Sequence, residues 1–126
     1  MSRPQVLYVG LDPTLVDFRP LAGLDARTIQ EGIDLEMKRL DAAGYEATWL
    51  AVDRGDTAEA VLGTELSARR YDCVAIGAGL RTHPELLLLF EKLVNVVHAC
   101  APAAKLCFNT RPTDTLDAVQ RWLPKR

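Results

Sequence analysis

The feature that most constrains the fold is a fourfold alternation of short apolar runs with longer helical patterns. Each apolar run is four to six residues long and mostly continuous, as expected of parallel strands that are covered on both faces. A loop and a segment with helical periodicity follow each run. This alternation predicts an α/β fold with a parallel sheet and right-handed crossovers. The apolar runs are residues 6–9, 47–52, 73–76 and 105–108.

The first two helical patterns have recognisable ends. The pattern over 26–43 carries apolar side chains on one face at spacings of 4, 4 and 3, and Gly44 follows it as a C-terminal cap. The second helix is predicted to begin at Asp56, where Glu59 stands at the third position, and to end near Arg70.

The last two helical patterns both begin with capping residues and end before a proline. Thr82 and Glu85 have the spacing of a capping box with a proline in the first turn, and this helix is expected to continue to about Cys100. The fourth helix is expected to begin near 113–114 and to stop before Pro124.

Length and element order together predict a small layered domain. The 126 residues fit one α/β domain that spans 1–126. Four strands most simply pair in the order 2-1-3-4, which is a three-layer flavodoxin-like or Rossmann-like sandwich with a four-stranded parallel sheet. Hydrophobic residues at 48% and charged residues at 25% are usual for a soluble globular protein and exclude a disordered chain.

Charge and cysteine content narrow the partners and the compartment. A net charge of −2 with scattered basic residues argues against nucleic acid, which is usually bound by a clustered basic surface. The longest apolar stretch, 86–90, is far too short to cross a bilayer, so no membrane segment is expected. Cys73, Cys100 and Cys107 lack CxxC spacing. We therefore expect free thiols in a cytoplasmic protein, with no metal and no other cofactor.

The loops that follow the strands predict where a ligand binds. In an open α/β sheet, ligands bind beyond the carboxyl ends of the strands where the strand order reverses. For the order 2-1-3-4, this point lies between the first and third strands. We predict a site there for a small anionic molecule, with or without catalysis. The candidate residues are Asp12, Gly77, Gly79, Arg81, His83, Asn109 and Arg111.

The candidate residues have chemical roles that suit an anionic ligand. The two glycines precede a predicted helix start, whose free N–H groups and dipole favour an anion. Arg81 and Arg111 are able to hold a carboxylate or phosphate with two hydrogen bonds. In a hydrolase or transferase, Asp12 would orient the substrate or act as base and His83 would move the proton. The alternative is ordinary loop polarity, with Arg111 in a salt bridge to Asp114 or Asp12.

The loop 11–24 is unusually long. It has about 14 residues, whereas strand-to-helix connections usually take about 2–6. Because it contains several apolar residues, it must cover either the mouth of a site or the surface of a partner, and we expect a lid over the predicted site. A packed Ω-loop with a purely structural role is the alternative.

Two short resemblances are visible in the loops. The stretch 71–79 resembles the opening of the dinucleotide-binding Rossmann motif, but Thr82 stands in place of its third glycine, so a tight turn and an anion site are favoured over NAD or FAD. The order of elements is similar to that of receiver domains, in which acidic residues follow the first strand as Asp12 does here. Gly77 occupies the place of the receiver phosphoacceptor, so phosphoacceptance is not expected.

The apolar residues of the third predicted helix indicate that another protein surface covers it. Five consecutive apolar residues, 86–90, open it, and further apolar residues follow them. A helix that is apolar on all sides must be buried on all sides. We therefore expect a homodimer through the helix 84–100, with burial under the first loop as the alternative. A non-catalytic, receiver-like dimerisation and protein-interaction module is thus the second functional interpretation.

Overall fold

A parallel sheet lies at the centre of the protein. The computed structural model describes residues 3–15 and 25–124. The sheet in these residues has the order β2-β1-β3-β4, and each neighbouring pair of strands is parallel. The predicted order 2-1-3-4 is therefore confirmed. The strands are β1 Gln5–Leu11, β2 Glu46–Val52, β3 Cys73–Ile76 and β4 Lys105–Phe108.

Helices cover both faces of the sheet, which gives the three layers of a flavodoxin-like sandwich. One apolar cluster joins Val6 and Cys107 of the sheet to the first and fourth helices. A second cluster joins Leu7 and Val9 to the second and third helices. The helices are α1 Ala26–Ala42, α2 Ala58–Ala68, α3 Leu87–Cys100 and α4 Thr115–Trp122.

The central strand β1 shows why the sequence contains continuous apolar runs. Val6, Leu7 and Val9 have no exposed surface. Leu7 and Val9 face one layer of helices, and Val6 faces the other. Because helices cover both faces, consecutive residues of the strand are all apolar.

The starts of α1 and α2 are fixed by aspartates that accept backbone hydrogen bonds. The carboxylate of Asp25 accepts from the backbone N–H of Thr28 at 2.8 Å, and α1 begins at the predicted residue. The predicted cap Asp56 is wrong for α2. Asp53 caps this helix instead, because its carboxylate accepts from the N–H groups of Thr57 and Ala58.

The start of α3 also differs from the prediction. The hydroxyl of Thr82 donates to the carbonyl of Ala78 at 3.0 Å instead of capping a helix. Two short 3₁₀ turns, Ala78–Leu80 and Pro84–Leu86, separate β3 from the helix. The α-helix begins only at Leu87, so the predicted capping box is wrong and the helix N-terminus does not directly follow the glycines.

Within the single chain, α3 is buried on one face only, so burial of its other face by a second copy of the chain stays a prediction. Its side chains that face the sheet, such as Leu93 and Val97, are buried. At its other face, Leu87 is 59% exposed and Leu88 is 67% exposed. The helix is therefore amphipathic over most of its length, and its first turn presents two adjacent leucines to solvent.

A buried carboxylate joins α1 to the start of α4. Glu36 has no exposed surface. Its Oε2 atom accepts from Arg39 Nη1 at 2.6 Å, and its Oε1 atom accepts from the N–H of Leu116 at 3.1 Å. A buried charge is costly unless it is paired and hydrogen-bonded. These contacts therefore hold α1 against α4 on the side of the sheet where the candidate site lies.

Candidate functional site

A pocket lies at the carboxyl ends of β1 and β3, where the strand order reverses. Its volume is about 170 Å³. Residues of β1, β2 and α1 and the segments after β3 and β4 line it, which is the position that the strand order predicts for a ligand. Most of its wall is apolar. The large apolar residues of the wall are Tyr8, Leu11, Ile29, Ile33, Trp49 and Pro112.

Two aromatic rings form one side of the pocket. Tyr8 and Trp49 are directly opposite each other in the register of β1 and β2. Their ring centroids are 5.0 Å apart, and the rings meet edge to face. Aromatic pairs favour this geometry, so the two rings give a firm apolar wall to a ligand.

Asn109 links the segments around the pocket by hydrogen bonds. It is 2% exposed. Its Oδ1 atom accepts from the N–H of Ala78 at 2.7 Å, and its Nδ2 atom donates to the hydroxyls of Tyr8 at 3.1 Å and Thr115 at 2.9 Å. Asn109 thus ties the ends of β1 and β3 to the start of α4, and both of its N–H donors are already used.

The buried hydroxyl of Tyr8 faces this network. Burial is the largest influence on this group and raises the pKa of Tyr8, against the opposing effect of the hydroxyl of Thr115 and the amide of Asn109. Tyr8 therefore stays neutral at ordinary pH. Its neutral hydroxyl is part of the polar back of the pocket and does not bring a charge into it.

The two predicted glycines have different surroundings at the pocket. A Cβ on Gly77 would lie 3.4 Å from the carbonyl oxygen of Val9, so this residue packs closely against β1. A Cβ on Gly79 would have no neighbour within 4 Å. Gly79 therefore leaves open space at the pocket wall.

His83 is the one predicted proton-transfer residue on the pocket wall. Its side chain is 28% exposed, and its Nδ1 atom lies 4.0 Å from a carboxylate oxygen of Glu85. This distance is too long for a hydrogen bond. Thr82, the neighbouring wall residue, uses its hydroxyl to donate to Ala78.

Asp12 does not line the pocket. Its Oδ1 atom accepts from the N–H of Thr14 at 2.9 Å and from the hydroxyl of Thr14 at 2.8 Å. The backbone N–H of Asp12 donates to the carbonyl of Val52. These contacts form a local turn after β1, in which short polar side chains commonly bond to nearby backbone groups.

Arg111 and its neighbours also form local contacts away from the pocket wall. The Nε atom of Arg111 donates to the hydroxyl of Thr113 at 3.1 Å. Burial opposes ionisation of Asp114, but the hydroxyl of Thr110, followed by the backbone N–H groups of Thr110 and Arg111, donates to its carboxylate and lowers the pKa of Asp114 below its ordinary value. Asp114 is thus bonded to the backbone of Arg111, and it closes the turn before α4.

Arg81 lies over an aromatic ring beside the pocket segment. Its guanidinium carbon is 5.4 Å from the ring centroid of Phe108. The Nε and Nη2 atoms of Arg81 are buried and have no hydrogen-bond acceptor among residues 3–15 and 25–124. Burial lowers the pKa of Arg81, while the nearby charge of Asp114 opposes this effect.

The predicted site residues thus divide into two groups. Gly77, Gly79, His83 and Asn109 line the pocket, whereas Asp12, Arg81 and Arg111 lie around it. The aromatic wall was not among the residues predicted from the sequence. The signal that could have found it is the pairing of the first and second strands, because Tyr8 and Trp49 stand at the same register and face the same layer. The remaining part of the predicted lid, 16–24, lies outside the described residues.

The fold and the pocket define the class of this protein, because the chain matches no protein-family model and no curated protein sequence. No helix within the described ranges is long and apolar enough to span a membrane. The same ranges contain no cluster of three His, Cys, Asp or Glu side chains that could hold a metal ion. The class is a flavodoxin-like α/β protein with a small, mostly apolar pocket where the strand order reverses.

Proposed function

We propose that this protein binds a compact small molecule with an apolar body and one anionic group. The observation that carries the proposal is the pocket at the carboxyl ends of β1 and β3. This is the position where open α/β sheets bind ligands. Its wall combines aromatic and aliphatic side chains with a few polar groups, which is the usual composition of a small-molecule site.

The size of the pocket limits the ligand. Pockets for drug-sized molecules have volumes of roughly 300–1,000 Å³, and this pocket has about 170 Å³. The ligand that fits is therefore smaller than a dinucleotide or a flavin. One planar ring or a short branched chain would lie against Tyr8 and Trp49.

The described wall has no acidic side chain and no Lys or Arg, so the anionic substituent we propose would be held there by hydrogen-bond donors. A cationic group would find no counter-charge on the described wall. His83 and the backbone around Gly79 supply hydrogen-bonding groups at one side of the wall. If the protein is an enzyme, His83 is the residue on the wall that would move a proton, and Asp12 would act only after giving up its bonds to Thr14.

A ligand panel tests this proposal. We expect carboxylates and phosphates with small apolar bodies to raise the melting temperature, because a ligand at about 100 times its Kd adds roughly 2.7 kcal/mol to stability. Sodium chloride at equal ionic strength serves as the reference. A panel that leaves the melting temperature of the wild-type protein unchanged would contradict the proposal.

A matched pair of glycine variants shows whether the ligand occupies this pocket. Gly79→Ala adds a methyl group into open space at the wall, and we expect it to weaken binding without loss of folding. Gly63→Ala is the control, since its Cβ would lie 3.9 Å from Val96 Cγ1 and Gly63 belongs to α2, away from the pocket. Equal binding by both variants would place the ligand elsewhere.

The second candidate function is a dimerising interaction module, supported by the exposure of Leu87 and Leu88. Two adjacent exposed leucines at the start of α3 are a surface that a second copy of the chain would cover. Sedimentation at micromolar concentration should then give twice the chain mass of 13.9 kDa, and Leu88→Glu should reduce it to 13.9 kDa. A wild-type mass near that of one chain would remove this candidate.

A cytoplasmic location belongs to the same proposal. Cys73 and Cys107 are buried, and their Sγ atoms lie 3.5 Å apart as free thiols. Thiols that are adjacent and unbonded fit a reducing compartment. The hydrogen bond with the Cys107 thiol, followed by burial, raises the pKa of Cys73 far above its ordinary value, so this thiol stays protonated and unreactive.

A further inference from the structure

Arg81 is the least satisfied charged group in the described part of the chain. The Nε and Nη2 atoms of its guanidinium are buried, and neither has an acceptor among the described residues. Buried donors without partners are rare in native proteins, and each one calls for a physical reason. Functional need is one such reason, because binding groups are often kept at a cost to the unliganded fold.

The two unsatisfied atoms lie on one edge of the guanidinium. Nε–H and the adjacent N–H of Nη2 point in the same direction, and their separation matches that of the two oxygens of a carboxylate or phosphate. The ring of Phe108 covers one face of the group at 5.4 Å from the guanidinium carbon. An aromatic face attracts the charge of the cation, but it leaves both in-plane donors without an acceptor.

Among the described residues, no neighbouring carboxylate is hydrogen-bonded to this edge of Arg81. Asp114 is the one acidic group whose charge affects Arg81 noticeably. Its two carboxylate oxygens already accept from the backbone of Thr110 and Arg111 and from the hydroxyl of Thr110. No ion pair joins Arg81 to a carboxylate within the described ranges, so the edge suits an anion that comes from outside the protein.

The position of Arg81 connects it to the pocket. Its backbone N–H donates to the carbonyl of Ala78 at 2.9 Å. The residues before and after it in the chain, Gly79, Thr82 and His83, line the pocket. Arg81 therefore belongs to the same short segment between β3 and α3 as these residues of the pocket wall.

We propose that Arg81 binds the anionic group of the ligand through its Nε and Nη2 atoms, and that the chemical class it recognises is a carboxylate or phosphate. This inference rests on the proposed function and assigns the charged half of the ligand to one side chain. In this proposal, Arg81 leaves Phe108 when the anion binds, and it gains the two acceptors that it lacks among the described residues.

Arg81→Met is the variant that tests the proposal. Methionine preserves much of the length of the side chain and its contact with Phe108, but it removes both buried donors. We expect the unliganded variant to melt at a higher temperature than the wild-type protein, because the uncompensated donors are gone. We also expect it to lose the rise in melting temperature that inorganic phosphate and acetate cause in the wild-type protein at constant ionic strength.

Two further variants serve as comparisons. One tests whether the planar shape of the Arg81 side chain matters beyond its charge, and the other tests whether its location matters. Arg81→Lys keeps the charge without the planar fork, and binding should become about tenfold weaker. Arg69→Met is the control, since Arg69 is an exposed arginine at the end of α2 beside a different surface, and its anion response should equal that of the wild-type protein. The phosphate and acetate arms, compared with each other, show which of the two oxyanions Arg81 prefers.

The outcomes distinguish this inference from the proposed function. A response of Arg81→Met to phosphate and acetate equal to that of the wild-type protein would overturn the role of Arg81, and so would a wild-type protein that responds to neither anion. Phosphate and acetate have almost no apolar body, so they report on Arg81 alone. The apolar ligands and the Gly79→Ala variant report on the pocket, and the proposed function fails only if those responses are absent.

Discussion

The indole ring of Trp49 occupies the space beside Gly10 that any larger residue would need. A Cβ on Gly10 would lie 2.5 Å from Trp49 Cη2 and 2.8 Å from Trp49 Cζ3. The indole reaches across from β2 over the end of β1, where it forms part of the pocket wall. Gly10 is therefore a glycine for steric reasons, and its missing side chain lets the aromatic wall form.

Gly10→Ala is expected to destabilise the protein by about 1–3 kcal/mol, the usual cost of overpacking a well-packed region. The indole must shift, because both clashing atoms belong to a rigid ring. Urea denaturation followed by tryptophan fluorescence measures the change. Gly79→Ala, which meets no atom within 4 Å, should be close to the wild-type protein in stability. Equal stability of the two variants would mean that Trp49 does not occupy this position.

Asn109→Ala is expected to cost about 2–4 kcal/mol, because it leaves the N–H of Ala78 and the hydroxyls of Tyr8 and Thr115 without their partner in the interior. Asn95→Ala is the matched control on α3, where the exposed amide makes a single bond to the carbonyl of Glu91. Chemical denaturation of both variants checks the difference. If Asn109→Ala were as mild as Asn95→Ala, Asn109 would not hold the ends of the strands together.

Asp53→Ala should lower the urea midpoint at neutral pH, whereas Asp56→Ala should not. The hydroxyl of Thr57, followed by the N–H groups of Gly55 and Thr57, lowers the pKa of Asp53 below its ordinary value of 3.8. A lowered pKa in the folded state adds stability above the unfolded pKa, and this stability is lost as the pH falls through the folded pKa. The difference between wild type and Asp53→Ala should therefore shrink as the pH is lowered below 3.8. A difference that is constant with pH would contradict the cap.

The sequence predicted the sheet because strand burial leaves a direct trace in residue type. β1 is covered on both faces, so its apolar run is continuous, and two of the four strands, 73–76 and 105–108, have the observed bounds. Helix starts were harder, because several polar residues near each start compete for the same backbone donors. At α2, Asp53 caps the helix instead of Asp56. Asp53 directly follows β2, and its carboxylate accepts from the N–H of Thr57.

The location of the candidate site was predictable from the topology, but its side-chain contacts were not. The switch point between β1 and β3 was predictable from strand order alone. Which candidate residues line the pocket and which lie around it was not predictable, because this depends on the hydrogen-bond partners of each side chain. Asp12 was predicted from the sequence to orient the substrate or act as a base, but its carboxylate bonds to Thr14. Glu36 looks like a solvent-facing residue, but it is buried against the start of α4.

Two leucines of α3 are expected to respond differently to the same substitution. Leu93 has no exposed surface and Leu88 is 67% exposed. Leu93→Ala should therefore destabilise the protein by about 2–5 kcal/mol, whereas Leu88→Ala should change stability by no more than about 0.5 kcal/mol. Repeating the denaturation at low and high protein concentration tests whether the chain forms a dimer. If a second copy of the chain covers the start of α3, the wild-type midpoint will rise with concentration and that of Leu88→Ala will rise less. A wild-type midpoint that does not depend on concentration would show that the exposed leucines remain uncovered, and the helix would then stabilise the fold through its inner face alone.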